Sequence, residues 1–337
     1  MTDIDLHIHT NNSDGRFSPF EIIDMAKKTG VKIIAIADHD TVASYTKDVI
    51  DYAKRNNINL IPAVEISTKT NKCGIHVLGY FKDYKFNESF LKQLETIRNA
   101  RHIYLKDVSK KLEELGYIVN TDELDKVDAV TKAHIAKDIV TNEKNKNILL
   151  RKFGHIPSQG EFIETVMNEG CEAYVAKKAI TPKQASELIK SNNGKVVLAH
   201  PVAYQYEDGL SDDEILKIVK DMNADGIEAN YIYTDRNNVI HNDTKKWNEF
   251  AKKNNLYTTV GSDFHNIEKD KAALGFTNLD YKVADEYKDL LFKDVISIKK
   301  SQIIVKIKEL WYIIKKLCEV IKCKKKLVRR SYCILQT

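Results

Sequence analysis

Short apolar runs alternate with stretches of helical periodicity along most of the chain. Residues 31–37 are nearly all apolar and are bounded by turn residues, which predicts a parallel strand buried on both faces. Similar runs predict strands over 4–8, 59–67, 74–80, 195–199, 225–230 and 257–261. Helical patterns fall between them, over 18–30, 44–56, 181–191, 211–222 and 235–255. The first of these is well punctuated. Ser18 reads as N-cap, Pro19 as the first helical residue, Glu21 as the partner in a capping box, and Gly30 as the stop. Strand–helix alternation of this kind predicts an α/β barrel, whose chemistry sits at the C-terminal ends of the strands.

The alternation is interrupted. Residues 90–116 form one long helical pattern, 131–141 and 159–170 read as further helices, and 153–159 as a loop. The expected division is therefore a first barrel part (1–86), a helical insertion or cap (87–193), a second barrel part (194–280) and a basic tail (281–337). Arg98 and Arg101 lie three apart on the long helix, and His134 opens a later one. Arginines at that spacing share a helix face. The face reads either as a phosphate clamp or as an ordinary solvated surface. In the tail, 299–330 reads as a basic helix with an apolar stripe. It fits a helix packed on the barrel, a membrane-surface or protein-partner helix, or an RNA-attracting block.

Composition adds bounds rather than detail. The 337 residues are 43% hydrophobic and 30% charged with net charge +5, an ordinary globular balance. The five cysteines show no Cys-x-x-Cys and no even spacing, so no disulfide partner is expected. Residues 1–5 lack the basic and apolar regions of a signal peptide, and no run of about 18 apolar residues appears. A reducing, cytoplasmic setting is the expectation.

The candidate chemistry lies at strand ends. His7 and His9 stand two apart, so on a strand they point to one side, and Asp14 can curl back from the following turn. His39 follows the 31–37 strand, flanked by Asp38 and Asp40. Glu65 and His76 sit inside apolar strands, where an unpaired polar group is costly. His200 ends another strand, and Asp263 and His265 repeat the opening spacing after the last one. His102, His155 and His241 have no such setting. Imidazole mixed with carboxylate suits Zn, Mn or Fe rather than a thiolate zinc site. Nine candidate ligands are too many for one ion; two or three divalent ions sharing a bridging carboxylate would use them all.

These stretches, Asp5-Leu6-His7-Ile8-His9, Ser13-Asp14-Gly15, Ala37-Asp38-His39-Asp40-Thr41, Val64-Glu65-Ile66-Ser67, Ile75-His76-Val77-Leu78-Gly79, Ala199-His200-Pro201 and Gly261-Ser262-Asp263-Phe264-His265, resemble the PHP (polymerase and histidinol phosphatase) family of metal-dependent phosphoesterases. The resemblance implies a distorted (β/α)7 barrel and a trinuclear centre. By analogy His7, His9, Glu65 and Asp263 hold one ion, Glu65 bridges to a second held by His76 and His200, and Asp14, His39 and His265 hold a third. It also implies hydrolysis of 3′,5′-nucleoside bisphosphates or short 5′-phosphorylated oligoribonucleotides, with histidinol phosphatase as the weaker match; the alternative class is a catalytically silent, metal-stabilised binding module, against which the complete ligand set argues. Arg98, Arg101 and His134 are similar in setting to residues of the family's insertion that help cover the site. The attacking group would be a metal-bridging hydroxide, available at neutral pH because metals lower the pKa of water. Asp38 and Asp40 read either as carboxylates that orient imidazoles from behind or, for Asp40, as a helix N-cap.

Overall fold

The computed structural model describes residues 3–125, 130–176, 179–235, 237–267 and 274–275. The expected basic tail, 281–337, lies outside the described residues. Strand β1 (Ile4–Ile8) is followed by α1 (Pro19–Thr29), β2 (Ile33–Ile36), α2 (Lys47–Arg55), β3 (Asn59–Lys69) and β4 (Gly74–Tyr80). The interrupting helices are α3 (Glu88–Glu114), α4 (Thr121–Leu124), α5 (Lys132–Thr141), α6 (Lys146–Phe153) and α7 (Gln159–Phe162), with a 3-10 turn before α6 and a π turn after α7. Alternation resumes with α8 (Pro182–Ser191), β5 (Lys195–Leu198), α9 (Pro201–Asp208), α10 (Asp212–Asp221), β6 (Gly226–Asn230), β7 (Tyr233–Thr234), β8 (Ile240–His241), α11 (Thr244–Lys253) and β9 (Tyr257–Val260).

Seven strands form one curled sheet in the order β1-β2-β3-β4-β5-β6-β9. It is largely parallel. The exception is β4, which runs antiparallel to both neighbours because a turn of only four residues, Thr70 to Cys73, joins it to β3. Past β9 the chain returns to β1: Phe264 bridges Ile8 in parallel, and the His9 N–H donates to the Phe264 carbonyl at 2.9 Å. The result is the expected distorted (β/α)7 barrel in a curled, parallel-rich form.

The outer faces of β1 and β2 pack on α1 and α2 through Ile8, Ile22, Ile23, Ile34 and Val49. Those of β3 to β6 pack on α8, α10 and α11. A separate apolar cluster, including Leu105, Ile135, Phe162 and Met167, holds the interrupting helices together. Helix α3 serves two clusters, with Phe90 and Leu94 packed on the barrel and Tyr104, Leu105, Val108 and Leu112 in the insertion.

Some elements depart from the sequence pattern. The expected helix over 235–255 begins only at Thr244, and β7 pairs with β8 in a hairpin ahead of it. The cause is local: Asp235 Oδ1 accepts the N–H groups of Asn237 and Val239 at 2.8 and 2.9 Å, and Asn238 is left-handed. A side-chain oxygen that captures those donors stops a helix from starting there. Helix α2 likewise starts at Lys47, capped by Thr46, because the Ser44 hydroxyl is spent on Asp38.

Phe90 is fully buried, with ring centroids 5.3 Å from Phe81 and 5.8 Å from Phe86. Phe90→Ala is expected to cost about 3–5 kcal/mol in a denaturant titration; a loss below about 1 kcal/mol would show that this contact does not anchor α3.

Candidate metal centre

Strand alternation puts His7 and His9 on one face of β1, and their Nε2 atoms are 3.1 Å apart. His7 Nε2 lies 3.3 Å from Glu65 Oε1 and 3.4 Å from Asp263 Oδ1. His9 Nε2 lies 3.3 Å from Glu65 Oε2 and 3.1 Å from Asp263 Oδ1. On the other side of the same ring, His9 Nδ1 is 3.5 Å from Asp14 Oδ1, which is 3.3 Å from His265 Nε2. His39 faces two ways, with Nδ1 3.1 Å from Glu65 Oε2 and Nε2 3.6 Å from Asp14 Oδ2. His76 Nδ1 and His200 Nε2 each lie 3.2 Å from Glu65 Oε1 and 3.3 Å from one another.

All nine residues singled out at the strand ends are thus brought together, in overlapping sets. Three sets could each hold an ion: His7, His9, Glu65 and Asp263; His9, Asp14, His39 and His265; and His39, Glu65 and His76, with His200 at the border of the last. The overlap at His9 and His39 is wider than the sequence implied. His102, His155 and His241 stand apart, paired with Asp125, Glu161 and Asp235.

The donor atoms fit metal ions better than hydrogen bonds. One N–H on His7 Nε2 cannot serve His9, Glu65 and Asp263 together. Buried Asp14 Oδ1 receives no well-aligned hydrogen bond, although two ring nitrogens stand 3.3 and 3.5 Å from it. Bonds of about 2.0–2.2 Å in a tetrahedral site place donors about 3.3–3.6 Å apart, close to the spacings seen. Two tautomers are also set. His7 Nδ1 lies 3.1 Å from both oxygens of Glu228, and His265 Nδ1 lies 2.8 Å from the Asp263 carbonyl. Neither partner can donate, so Nδ1 carries a hydrogen and Nε2 is the nitrogen left to give a lone pair to a bound cation.

Without a cation the negative charge falls on the rings, which would hold protons where a metal would otherwise bind. Burial pushes His7 and His9 down, yet Glu228, Glu65 and Asp263 around His7, and Asp263, Glu65 and Asp14 around His9, win; His7 is held well above the usual imidazole range and His9 at about 10. Burial would raise Glu65 and Asp263, but the surrounding imidazoles hold both well below the carboxylate range. So dense a set of buried carboxylates calls for positive charge, which metal cations would supply.

Close approach of the backbone makes this packing possible. A Cβ on Gly261 would stand 2.3 Å from Glu228 Oε1 and 2.4 Å from the His7 Cβ. Asp40, His200 and Asp263 all take positive φ, at 53°, 25° and 53°, a strained setting for non-glycine residues. For His200 the backbone N–H donates to Glu228 Oε2 at 2.9 Å, which helps hold that bend. Asp263 and His265 keep their spacing of two, but beyond the end of β9 and with Asp263 left-handed, so their approach differs from that of His7 and His9.

Among the described residues, neither Asp38 nor Asp40 bonds an imidazole directly. Asp38 accepts from the Thr10 N–H at 2.6 Å and from the hydroxyls of Thr10, Ser13 and Ser44, and so ties down the loop that carries Asp14. Asp40 is not a helix cap. It pairs with Arg101 and accepts the Ser67 N–H at 2.8 Å. Each stands one serine away from a ring: Ser13 Oγ is 3.5 Å from His9 Nδ1, and Ser67 Oγ is 3.4 Å from His39 Nδ1.

Arg101 is buried, bound to Asp40 and to the Ser67 hydroxyl. It lines a cavity of about 320 Å³ together with Asp14, His39, His76, Lys69 and Lys132. Arg98, one turn away on α3, is only half-buried and is not part of that lining. His134 caps α5 through Thr131, whose N–H lies 3.2 Å from its Nδ1. Burial lowers its pKa, while the charge of Asp14 acts the other way.

Sequence reasoning passed over Glu228 and Asp5. Glu228 is buried in β6 and holds both the His7 ring and the His200 backbone. Asp5 accepts from the Ser262 N–H at 3.0 Å, the Ser262 hydroxyl at 2.6 Å and the Gly275 N–H at 2.8 Å, fixing the segment that delivers Asp263. The signal was available: Glu228, like Glu65, is a carboxylate inside a predicted buried strand.

A PHP domain model matches residues 5–193. A 5′-3′ exoribonuclease of Haemophilus influenzae is 31% identical over 271 residues, covering 77% of this chain and 89% of that protein. A 3′,5′-nucleoside bisphosphate phosphatase of Chromobacterium violaceum is 25% identical, covering 79% and 88%. Among solved structures, one from Bifidobacterium adolescentis described as a metal-dependent phosphoesterase superposes with a TM-score of 0.63 at 21% identity, covering 86% of this chain and 95% of that one.

Two substitutions probe the centre. Glu228→Gln keeps the volume and removes the charge behind His7, and is expected to weaken metal affinity about 10–100-fold in a chelator competition; unchanged affinity would remove Glu228 from the site. Gly261→Ala should displace Glu228 or His7, lowering both metal content and thermal stability; a variant equal to wild type in both would refute the close-approach argument.

Proposed function

This chain belongs to the PHP domain family and is a metal-dependent phosphoesterase, and on that premise we propose that its substrates are nucleotides: 3′,5′-nucleoside bisphosphates or short 5′-phosphorylated oligoribonucleotides. The observation that carries this is the joint setting of the nine donors and a cationic cavity wall. Asp14, His39 and His76 line the same cavity as Arg101, Lys69 and Lys132. A phosphate ester in that cavity would meet metal ligands on one side and fixed positive charge on the other. The names of the two relatives, one acting on RNA ends and one on a bisphosphate nucleotide, favour this class over histidinol phosphate.

In this reading His7, His9, Glu65 and Asp263 hold one divalent cation, Glu65, His76 and His200 a second, and Asp14, His39 and His265 a third. When bound, such cations act as Lewis acids toward phosphoryl oxygens and lower the pKa of coordinated water. The chain's own residues do the rest. Glu228 and the Asp263 carbonyl keep the His7 and His265 rings in the tautomer that turns Nε2 inward. Arg101, immobilised by Asp40 and Ser67, presents a charge that needs no reordering when an anion arrives. Arg98 and His134, carried by the same inserted segment but outside the cavity lining, are the further substrate-binding candidates. The segment 87–193 acts as the cap over the two barrel parts, 1–86 and 194–280. Its own apolar cluster supports this, as does α3, which brings Arg101 to the cavity.

The test is a substrate panel with Mn²⁺: a 3′,5′-bisphosphate nucleotide, a 5′-phosphorylated oligoribonucleotide and histidinol phosphate, each also with Asp263→Asn. Release of phosphate or nucleotide from the first two, lost in the variant and on chelation, is the expected result. Turnover of histidinol phosphate alone would overturn the nucleotide reading.

A further inference from the structure

A second cavity, of about 570 Å³, opens on the outer side of the β3–β4 turn. It is lined by Lys69, Lys72, Lys183 and Lys217, against two acids, Glu214 and Asp221. Glu214 is already matched, with Lys72 Nζ 2.9 Å from its Oε1. The remaining lining therefore carries three lysines against one carboxylate. Residues 181–183, at the positive end of α8, also border it.

Lys69 belongs to both cavities. It lines the metal-centre cavity beside Arg101 and Lys132, and it lines the outer groove beside Lys72 and Lys183. Both spaces therefore border the end of β3 at the same lysine. The charge of Lys69 also reaches Lys132, whose ammonium, already disfavoured by burial, is disfavoured further by it. Lysines that line one cavity together with Arg101 mark a place where an anion is favoured. A single phosphate would need only the inner cavity. A polyanion long enough to occupy both would be steered along the lysines, and single-stranded nucleic acid is the polyanion that matches a phosphoesterase centre at one end.

We infer that the outer groove is the binding track for the downstream backbone of an oligoribonucleotide, whose terminal phosphate ester sits in the metal-centre cavity. This rests on the nucleotide reading above and sharpens it toward an oligomer. The contacts are to phosphates rather than bases, so the track is indifferent to sequence. Lys183 and Lys217 are exposed and lie outside the inner cavity, so reversing their charge removes the track without touching the centre.

The experiment compares wild type with Lys183→Glu/Lys217→Glu on two substrates, a 5′-phosphorylated decaribonucleotide and a 3′,5′-bisphosphate nucleotide. The expected result is a KM for the decamer raised about tenfold and a salt dependence of its binding flattened by about 1.4 in log–log slope, from two lost phosphate contacts. The mononucleotide kcat/KM should stay within about twofold, since it reaches no groove lysine beyond Lys69. Equal effects on both substrates, or none on the decamer, would overturn the inference while leaving the phosphoesterase reading intact. Binding of a fluorescent decamer in EDTA, followed by anisotropy, is read independently of turnover. Weaker, less salt-sensitive binding by the variant supports the track, and identical binding refutes it, even where neither substrate is hydrolysed and the nucleotide reading itself fails.

Discussion

Glu65 is a carboxylate placed in the middle of an apolar strand, with almost no exposure to water. Burying such a charge without compensation would cost several kcal/mol. Everything around it supplies compensation. His7, His9, His39, His76 and His200 all have a ring nitrogen within 3.3 Å of one of its two oxygens. These rings come from β1, the end of β2, β4 and the end of β5, so the carboxylate is a point on which four parts of the sheet must agree. The centre is consequently a constraint on the fold as well as a place for chemistry. A barrel that slipped by one residue would turn these groups to the wrong face.

The same demand explains why the backbone is bent where it is. Regular strands alone cannot bring so many donors to one point. The chain adds left-handed residues at Asp40, His200 and Asp263 and a glycine at 261. Buried acids then hold the segments that carry the donors: Asp38 the loop after β1, Asp5 the segment after β9, and Glu228 the end of β5. The acids that do not face the metal site are thus part of how it is assembled.

Charge is graded outward from this centre. Innermost is a carboxylate-rich cluster that calls for cations. Next is a wall with Arg101 and Lys132, and beyond it a groove of exposed lysines. An anionic substrate would therefore be attracted from a distance and neutralised only on arrival, an arrangement suited to capturing polyanions and reacting at one end.

Much of this was legible in the amino-acid sequence. The β/α alternation, the interruption at 87–193 and all nine convergent donors could be read from it, because apolar period and strand-end position are local properties. The partners of Asp38 and Asp40, the role of Glu228, the overlap of the ligand sets at His9 and His39, and the hairpin before α11 could not. Each depends on residues distant in sequence or on a side chain outcompeting the backbone. Glu228 meets His7 across 221 positions, and Arg101 meets Asp40 across 61. Asp235 stops a helix that periodicity alone would start. Local pattern decides which groups a strand offers. Only the closed sheet, with β9 returned against β1, decides which of them meet.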